Sequence, residues 1–446
     1  MQKILIFSVT AGTGHNAVAN ALKQKLTEMG KTVKIVDTFK EYDKKFKQLL
    51  VNDGYLVAST LLPHIFNKFF EHYEKVDPNK RDMGSTQNFL KELAPKMLKT
   101  IYSFKPDVIL CTHFYPGIII TNLRKAFPIN AKVISLLTDY VVHPFWESSI
   151  GIDYIITPSE SLTDTLIYKG FKPEQIKCLG YPIQEKFSNP ITKEEARQKL
   201  NLNNDVLTVC VTCGGMGYAK MPELIKKLLK VKYPLQIISV CGKHKPSKQK
   251  IDKLIKTAKV KNSNKKVLNY GYSNEIDVLF AAADVMVSKG GCTFINEAMS
   301  KTLPQIFIKT LPLQEQYNAE YLKSNDAGFI ATKSFDIDKI INKVCKNPDI
   351  LETYKQNIIK IRKTNALNDV CNFISRLNPV ATYKEDIAEI KAYYVNKQIR
   401  LANRKNKKNA ININDSYKTY KRIYNLKKST KSSKNKLFKM MDKKVG

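Results

Sequence analysis

The residues best placed to do chemistry begin with Gly12-Thr13-Gly14-His15-Asn16-Ala17. They follow an apolar, β-branched run, Ile4–Val9, and open a segment of helical period, His15 to Met29, with Val18, Ala21, Leu22, Leu26 and Met29 on its apolar face. Glycines there let backbone approach a ligand closely, and a helix N-terminus favours negative charge. An imidazole in the first turn meets the positive end of the helix dipole, which disfavours its protonated form. A neutral imidazole is what a general base near pH 7 requires, although the same residue also fits a hydrogen-bonded loop histidine. The string further satisfies G-x-G-x-x-A, and Asp37 closes the next strand where a dinucleotide fold holds ribose, so nicotinamide or flavin chemistry also fits this stretch taken alone.

A second constellation lies downstream. Cys213-Gly214-Gly215-Met216-Gly217 stands between a strand and the helical segment Pro222–Leu229, again a place for phosphate. Then come Gly271-Tyr272-Ser273-Asn274-Glu275-Ile276, the block from Ala283 through Lys289-Gly290-Gly291-Cys292-Thr293 to Glu297-Ala298, and Pro312-Leu313-Gln314-Glu315-Gln316-Tyr317-Asn318. A strand, a Gly-Gly turn, a threonine at a helix start and a glutamate one turn later suit a nucleotide. Backbone N–H groups and the Thr293 hydroxyl can bind phosphate, and Glu297 can accept from two vicinal ribose hydroxyls.

Positioning these groups calls for strands that end in loops. Apolar runs at Ile4–Val9, Val33–Asp37, Val108–Cys111, Val133–Leu137, Tyr154–Thr157 and Ile176–Leu179 form one series. A second series runs through Val206–Thr212, Leu235–Cys241, Val267–Leu268, Val285–Val287 and Gln305–Ile308. Alternation with helical segments is a parallel α/β rhythm. Two Rossmann-like halves are expected to meet near Ser188–Thr192, giving domains at 1–188 and 189–378, with one or two helices within Leu351–Leu377. A Lys-, Asn- and Ser-rich extension, 379–446, is expected to be partly helical or weakly ordered.

Composition limits what such a chain can be. Its 446 residues, 43 % hydrophobic and 10 % aromatic, exclude a peptide hormone, a disulfide mini-protein and a largely disordered chain. Eight scattered cysteines argue against a disulfide framework, and the lone Cys210-x-x-Cys213 lacks a second pair or a nearby His for zinc. Net charge is +34, and from Lys391 onward eighteen Lys/Arg face only Asp415 and Asp442. A negatively charged surface or polymer is therefore an expected partner. Phe46–Tyr73 is dense in large apolar residues and flanked by lysines, which suits either a pair of core helices or a segment lying in a bilayer interface. No signal-peptide pattern and no apolar run of about 18 residues occurs, so the expected location is cytoplasmic, peripheral on the inner face of the cell membrane.

Taken together the motifs resemble those of GT-B glycosyltransferases that include the monogalactosyldiacylglycerol synthases and processive diacylglycerol glucosyltransferases, and more distantly the peptidoglycan lipid transferase. The likeness covers about Lys3 to Gly328. It rests on Ser8 to Asn16, Thr112-His113, Thr138-Asp139 with His143 and Trp146, Gly180-Tyr181-Pro182, and the Gly-Gly, Glu297, Gln314-Glu315 and Asn318 block. The resemblance implies two Rossmann-like domains facing a cleft, an N-terminal half that admits the acceptor and a C-terminal half that holds a UDP-sugar. It implies Glu297 on ribose, Ile276 backbone on uracil, and Gly290, Gly291 and Thr293 on the diphosphate. Gly214, Gly215 and Gly217 would line the cleft against it, and Gln314, Glu315 and Asn318 would meet sugar hydroxyls. His15 matches the proposed catalytic base, with Asp139 supporting it and Gly14, Asn16, His113, His143 and Trp146 on the acceptor side. The sequence departs from the family pattern at Lys289, one place later than usual and without proline, at Leu313 in place of glycine, and at His244 in place of asparagine.

The expected reaction is inverting transfer of a hexose, glucose favoured, from a UDP-sugar to diacylglycerol or a glycosyldiacylglycerol, with no cofactor and no metal. Expected partners are the UDP-sugar, diacylglycerol and anionic membrane lipids, with no nucleic acid. Galactosyl transfer, GlcNAc transfer to a peptidoglycan lipid precursor, a nicotinamide-dependent oxidoreductase and a nucleic-acid-binding protein are the alternatives.

Overall fold

The computed structural model describes residues 1–10, 14–38, 84–188, 190–218, 220–257, 264–308 and 313–378. Ala11–Thr13, Phe46–Tyr73, Pro312 and the basic extension lie outside the described residues. In the first half the elements are β1 (Lys3–Ser8), α1 (Gly14–Glu28), β2 (Thr32–Asp37), α2 (Gly84–Phe104), β3 (Val108–Cys111), α3 (Phe114–Arg124), β4 (Lys132–Leu136), β5 (Tyr154–Ile156), α4 (Thr163–Tyr168) and β6 (Ile176–Lys177). The second half comprises α5 (Lys193–Lys199), β7 (Thr208–Thr212), α6 (Met221–Leu228), β8 (Leu235–Val240), α7 (Lys245–Ile255), β9 (Lys265–Tyr270), α8 (Ile276–Ala282), β10 (Val285–Ser288), α9 (Cys292–Ser300), β11 (Gln305–Phe307), α10 (Leu313–Ser324) and β12 (Gly328–Ile330). The chain continues through α11 (Ile337–Lys346), α12 (Asp349–Ile361) and α13 (Ala366–Ser375).

Both sheets are six-stranded and every pairing is parallel, in the orders β2-β1-β3-β4-β5-β6 and β12-β11-β10-β7-β8-β9. Central strands carry unbroken apolar runs because helices cover both faces: Ile4, Leu5, Ile6 and Phe7 of β1 and Val209, Cys210 and Val211 of β7 are fully buried. β1 lies between β2 and β3, pairing Ile4 with Val33 and Val108, so successive connections leave it in opposite directions. The same reversal occurs between β7 and β10, where Val209 faces Val285. Such switch points leave a crevice beyond the strand ends. The fold thereby places His15 and the Thr112-His113 pair at one crevice, and Gly214–Gly217 and Gly290–Thr293 at the other.

Two strands differ from expectation. β9 runs four residues longer than Val267–Leu268, and β12 carries a glycine that conceals it in the sequence; Gly328 sits where a Cβ would meet the Gln305 carbonyl oxygen at 2.9 Å. The Leu351–Leu377 stretch forms two helices, and the second returns to the first half. Val370, Cys371 and Ile374 of α13 share a core with Leu22 and Leu26 of α1, and Gln2 Nε2 donates to the carbonyls of Ile374 at 3.1 Å and Leu377 at 2.9 Å. That core also takes in Cys292, Ile295 and Met299 of α9, so α1 packs against the helix that carries Glu297.

Candidate active site

His15 stands in the first turn of α1. Its Nδ1 lies 2.6 Å from the Thr112 carbonyl oxygen, which can only accept, so the proton sits on Nδ1 and the lone pair on Nε2. Burial pushes its pKa down to about 4, opposed by the Thr112 carbonyl, and the ring is neutral at pH 7. Thr138 Oγ1 stands 3.4 Å from the same Nδ1, and the His113 ring is 4.7 Å away, centroid to centroid. His113 is held well below its ordinary pKa by burial and by its proximity to His15 and His143. Its Nδ1 accepts from Tyr115 N–H and so caps α3.

The start of α1 is tied to the ends of β1 and β2. Asn16 accepts from Ser8 Oγ and donates to Thr10 Oγ1 at 2.8 Å, and Thr10 in turn donates to the Asp37 carboxylate. Asp37, the candidate ribose acid of the nicotinamide reading, is thus engaged with Thr10 beyond the end of β1. His143 caps the short 3₁₀ turn Pro144–Ser149 and stacks on Phe114, with ring centroids 5.2 Å apart. Trp146 is buried with its ring edge-on to Phe114, centroids 6.0 Å apart, so both residues pack around the start of α3.

On the opposite half, Glu297 is only 7 % exposed and its carboxylate makes no hydrogen bond or ion pair among the described residues. Burial raises its pKa to about 8, with Lys186 opposing and Asp277 of α8 adding to the shift. Burying a carboxyl without partners is costly, and two hydroxyl donors would offset that cost. Asp277 follows Ile276, so the α8 start lies beside this carboxyl. Gln314 Oε1 and Glu315 Oε2, in the first turn of α10, are likewise buried without partners among the described residues. Lys289 Nζ approaches Glu315 Oε1 at 3.6 Å.

The glycines divide by duty. A Cβ on Gly290 would lie 1.8 Å from the Glu315 carbonyl oxygen, so this residue must be glycine for α10 to pack there. Gly217, at φ +82°, is pressed against the Cys241 carbonyl, and Gly242 against the carbonyls of Gly214 and Gly215. Gly214 and Gly291, by contrast, face open space. His244, on the neighbouring loop, caps α7 through Ser247.

The two halves meet at these positions. A Cβ on Gly14 would lie 2.8 Å from Thr293 Oγ1, and Tyr181 Oη is within 2.6 Å of that hydroxyl. Thr293 and Glu297 are one helical turn apart on α9, so the N-termini bearing His15 and the ribose-binding candidate converge, and both helix dipoles favour an anion between them. Asp139 and Asn318, expected respectively beside the base and at the sugar, bond to each other at 2.8 Å. Tyr140, Asn296 and Tyr321 also join the halves, and sequence reasoning singled out none of the three; only the position of Tyr140 beside Asp139 offered a signal. Among the described residues no three His, Cys, Asp or Glu side chains gather as a metal-binding set, and no helix is long and apolar enough to cross a membrane.

Comparison with known proteins agrees with this geometry. The family model described as monogalactosyldiacylglycerol (MGDG) synthase matches residues 15–183, and that of the glycosyltransferase family 28 C-terminal domain matches residues 208–374. The chain is 26 % identical over 379 residues to a processive diacylglycerol beta-glucosyltransferase of Staphylococcus epidermidis, covering 83 % of this chain and 91 % of that protein. It is 27 % identical over 391 residues to the protein of the same name from Staphylococcus aureus strain Newman, covering 84 % and 93 %. Among solved structures, MurG of Acinetobacter baumannii superposes with a TM-score of 0.55 at 14 % identity, over 84 % of this chain and 100 % of that one. The UDP-GlcNAc 2-epimerase of Neisseria meningitidis superposes with a TM-score of 0.53 at 14 % identity, over the same shares. Those likenesses bear on the fold, which is GT-B. The two halves of the chain are thus matched, in order, by the model of the MGDG synthases and by that of the glycosyltransferase family 28 C-terminal domain.

Proposed function

We propose that the protein transfers glucose from UDP-glucose to diacylglycerol, or to a glucosyldiacylglycerol, with inversion at the anomeric carbon. The observation that carries this reading is the convergence of a neutral, carbonyl-oriented imidazole from one half with an unpartnered buried carboxyl from the other. His15 Nε2 takes the proton of the acceptor hydroxyl, and the acceptor oxygen forms its bond to the anomeric carbon. The bond from that carbon to the diphosphate oxygen breaks, and its electron pair leaves with UDP. Charge growing on the diphosphate is met by N–H groups at Gly291–Thr293 and by the open face of Gly214, which stabilise the transition state more than the bound donor. Glu297 holds the ribose, the backbone at Ile276 the uracil, and Gln314 and Glu315, through Oε1 and Oε2, accept from the glucose hydroxyls. Glucose is favoured because the curated relatives above are named for beta-glucosyl transfer to diacylglycerol.

The acceptor is a membrane lipid, and the chain's net charge of +34 suits a peripheral association with anionic headgroups on the cytoplasmic face. The direct test incubates purified protein with diacylglycerol vesicles and labelled UDP-glucose, UDP-galactose or UDP-GlcNAc, and separates lipid products by chromatography. Glucosyl lipid is expected to dominate. Label entering lipid only from UDP-galactose or UDP-GlcNAc would reject glucose, and label entering no lipid would reject the acceptor.

A further inference from the structure

Asn318 is 1 % exposed, and both N–H bonds of its amide are in use. Its Nδ2 donates to Asp139 Oδ1 at 2.8 Å and to the Gly290 carbonyl at 3.0 Å, while its Oδ1 accepts from Tyr140 N–H at 2.7 Å. One side chain of the donor half therefore grips two consecutive residues of the acceptor half and the Gly-Gly turn together. The grip is reinforced along the same helix and its neighbour. Tyr321, nearly one turn beyond Asn318, stacks on the Tyr140 ring with centroids 4.1 Å apart and planes 11° from parallel. Tyr140 Oη donates to Asn296 Oδ1 at 2.9 Å, beside Glu297. The gripped turn includes Thr138, whose hydroxyl stands 3.4 Å from His15 Nδ1. A continuous path thus runs from the helix that presents Gln314 and Glu315 through Asn318 and the Thr138–Tyr140 turn to the base.

We propose that Asn318 is a positioning residue: it clasps the Thr138–Tyr140 turn to the donor half and so sets the distance between His15 and the anomeric carbon. This inference rests on the glucosyl-transfer reading above, and it gives Asn318 a role other than the sugar contact expected from the sequence. Both amide protons are spent on protein acceptors, so the side chain has no donor left for a sugar hydroxyl.

Two variants and a wild-type control test it. In Asn318→Ala the clasp is lost, and kcat falls about tenfold to a hundredfold, the scale of a small misplacement of reacting groups, while KM for UDP-glucose rises by less than kcat falls, because the Gly290 carbonyl loses one bond but the turn keeps its packing under α10. Asn318→Asp sets a second carboxyl beside Asp139, which Glu315, Cys292 and Tyr181 also face. A proton shared between the two carboxyls restores the bond to Asp139, though not the one to the Gly290 carbonyl, so this variant recovers part of the wild-type activity at pH 6 and loses it at pH 8. Loss of fold alone would move neither the kcat-against-KM split nor this pH response. Hydrogen exchange across 138–142 should speed up in Asn318→Ala with the β1 and β7 amides unchanged. A raised KM with kcat preserved, or unchanged exchange at Tyr140, would overturn the clasp. A wild type that transfers no sugar would instead reject the reading of the reaction, and the exchange measurement would still decide the clasp.

Discussion

Burial acts on the two central side chains in the same direction, against charge, with opposite consequences for protons. His15 is pushed down to about 4 and stays neutral, whereas Glu297 is raised to about 8 and is protonated in the empty protein at pH 7. Two ribose hydroxyls donating to Glu297 favour its ionised form. Binding of UDP-glucose, whose diphosphate diester does not titrate near neutrality, should therefore release close to one proton at pH 7. Calorimetry in buffers of different ionisation heat measures this, and Glu297→Gln should abolish it; equal proton release in that variant would remove the carboxyl from the site. The linkage sign follows. A carboxyl whose folded pKa lies above its unfolded value disfavours the fold progressively as pH rises from about 4.5 to about 8, so Glu297→Gln should lessen the loss of thermal stability across that window. At saturating donor, turnover should stay level on the acid side until pH nears the His15 value of about 4. The sequence pointed to a neutral His15 through the helix dipole, whereas in the structure burial is what lowers its pKa. Its tautomer was not legible in the sequence, because the Thr112 carbonyl that fixes it lies 97 residues away and reaches the ring only through β1–β3 pairing.

Among elements, the glycine turns separate packing from binding. Gly290→Ala forces a Cβ into the Glu315 carbonyl and should cost about 1–3 kcal/mol, the usual penalty of overpacking, read as a lowered melting temperature. Gly291→Ala places its Cβ in open space at φ −74°, so the melting temperature should hold while UDP-glucose affinity drops as the methyl meets the diphosphate. Equal affinity in Gly291→Ala and wild type would move the diphosphate away from the α9 N-terminus. The sequence displayed the Gly-Gly pair and its strand-turn-helix setting plainly. Which glycine serves packing could not be read there, since the atom it must avoid belongs to α10, on a different connection. The partners of Asn318 were hidden for a similar cause: Asp139 and Tyr140 lie 179 and 178 residues away, on the other half.

For the whole molecule, the alternation of strands and helices carried the two-sheet architecture, and the motif order carried the crevice between the halves. Amphipathic period does not name a helix's partner, so the sequence placed α13 with the second half, while Gln2, Leu22 and Leu26 draw it onto the first. Residues 379–446 are rich in charge, with eighteen Lys/Arg against Asp415 and Asp442 from Lys391 onward. Removing them should leave UDP-glucose affinity unchanged and weaken binding to vesicles rich in anionic lipid, by roughly 1 kcal/mol per surface-near cation at most and less in high salt. Unchanged vesicle binding would assign the membrane contact to the body of the protein. The account depends above all on His15 acting across the crevice on a donor it does not itself bind. The measurement that tests this is transfer by His15→Ala with UDP-glucose affinity determined on the same sample. Affinity should stay within about twofold while turnover falls by about 10²–10⁴-fold, the range for loss of a general base; turnover at the wild-type rate would contradict it.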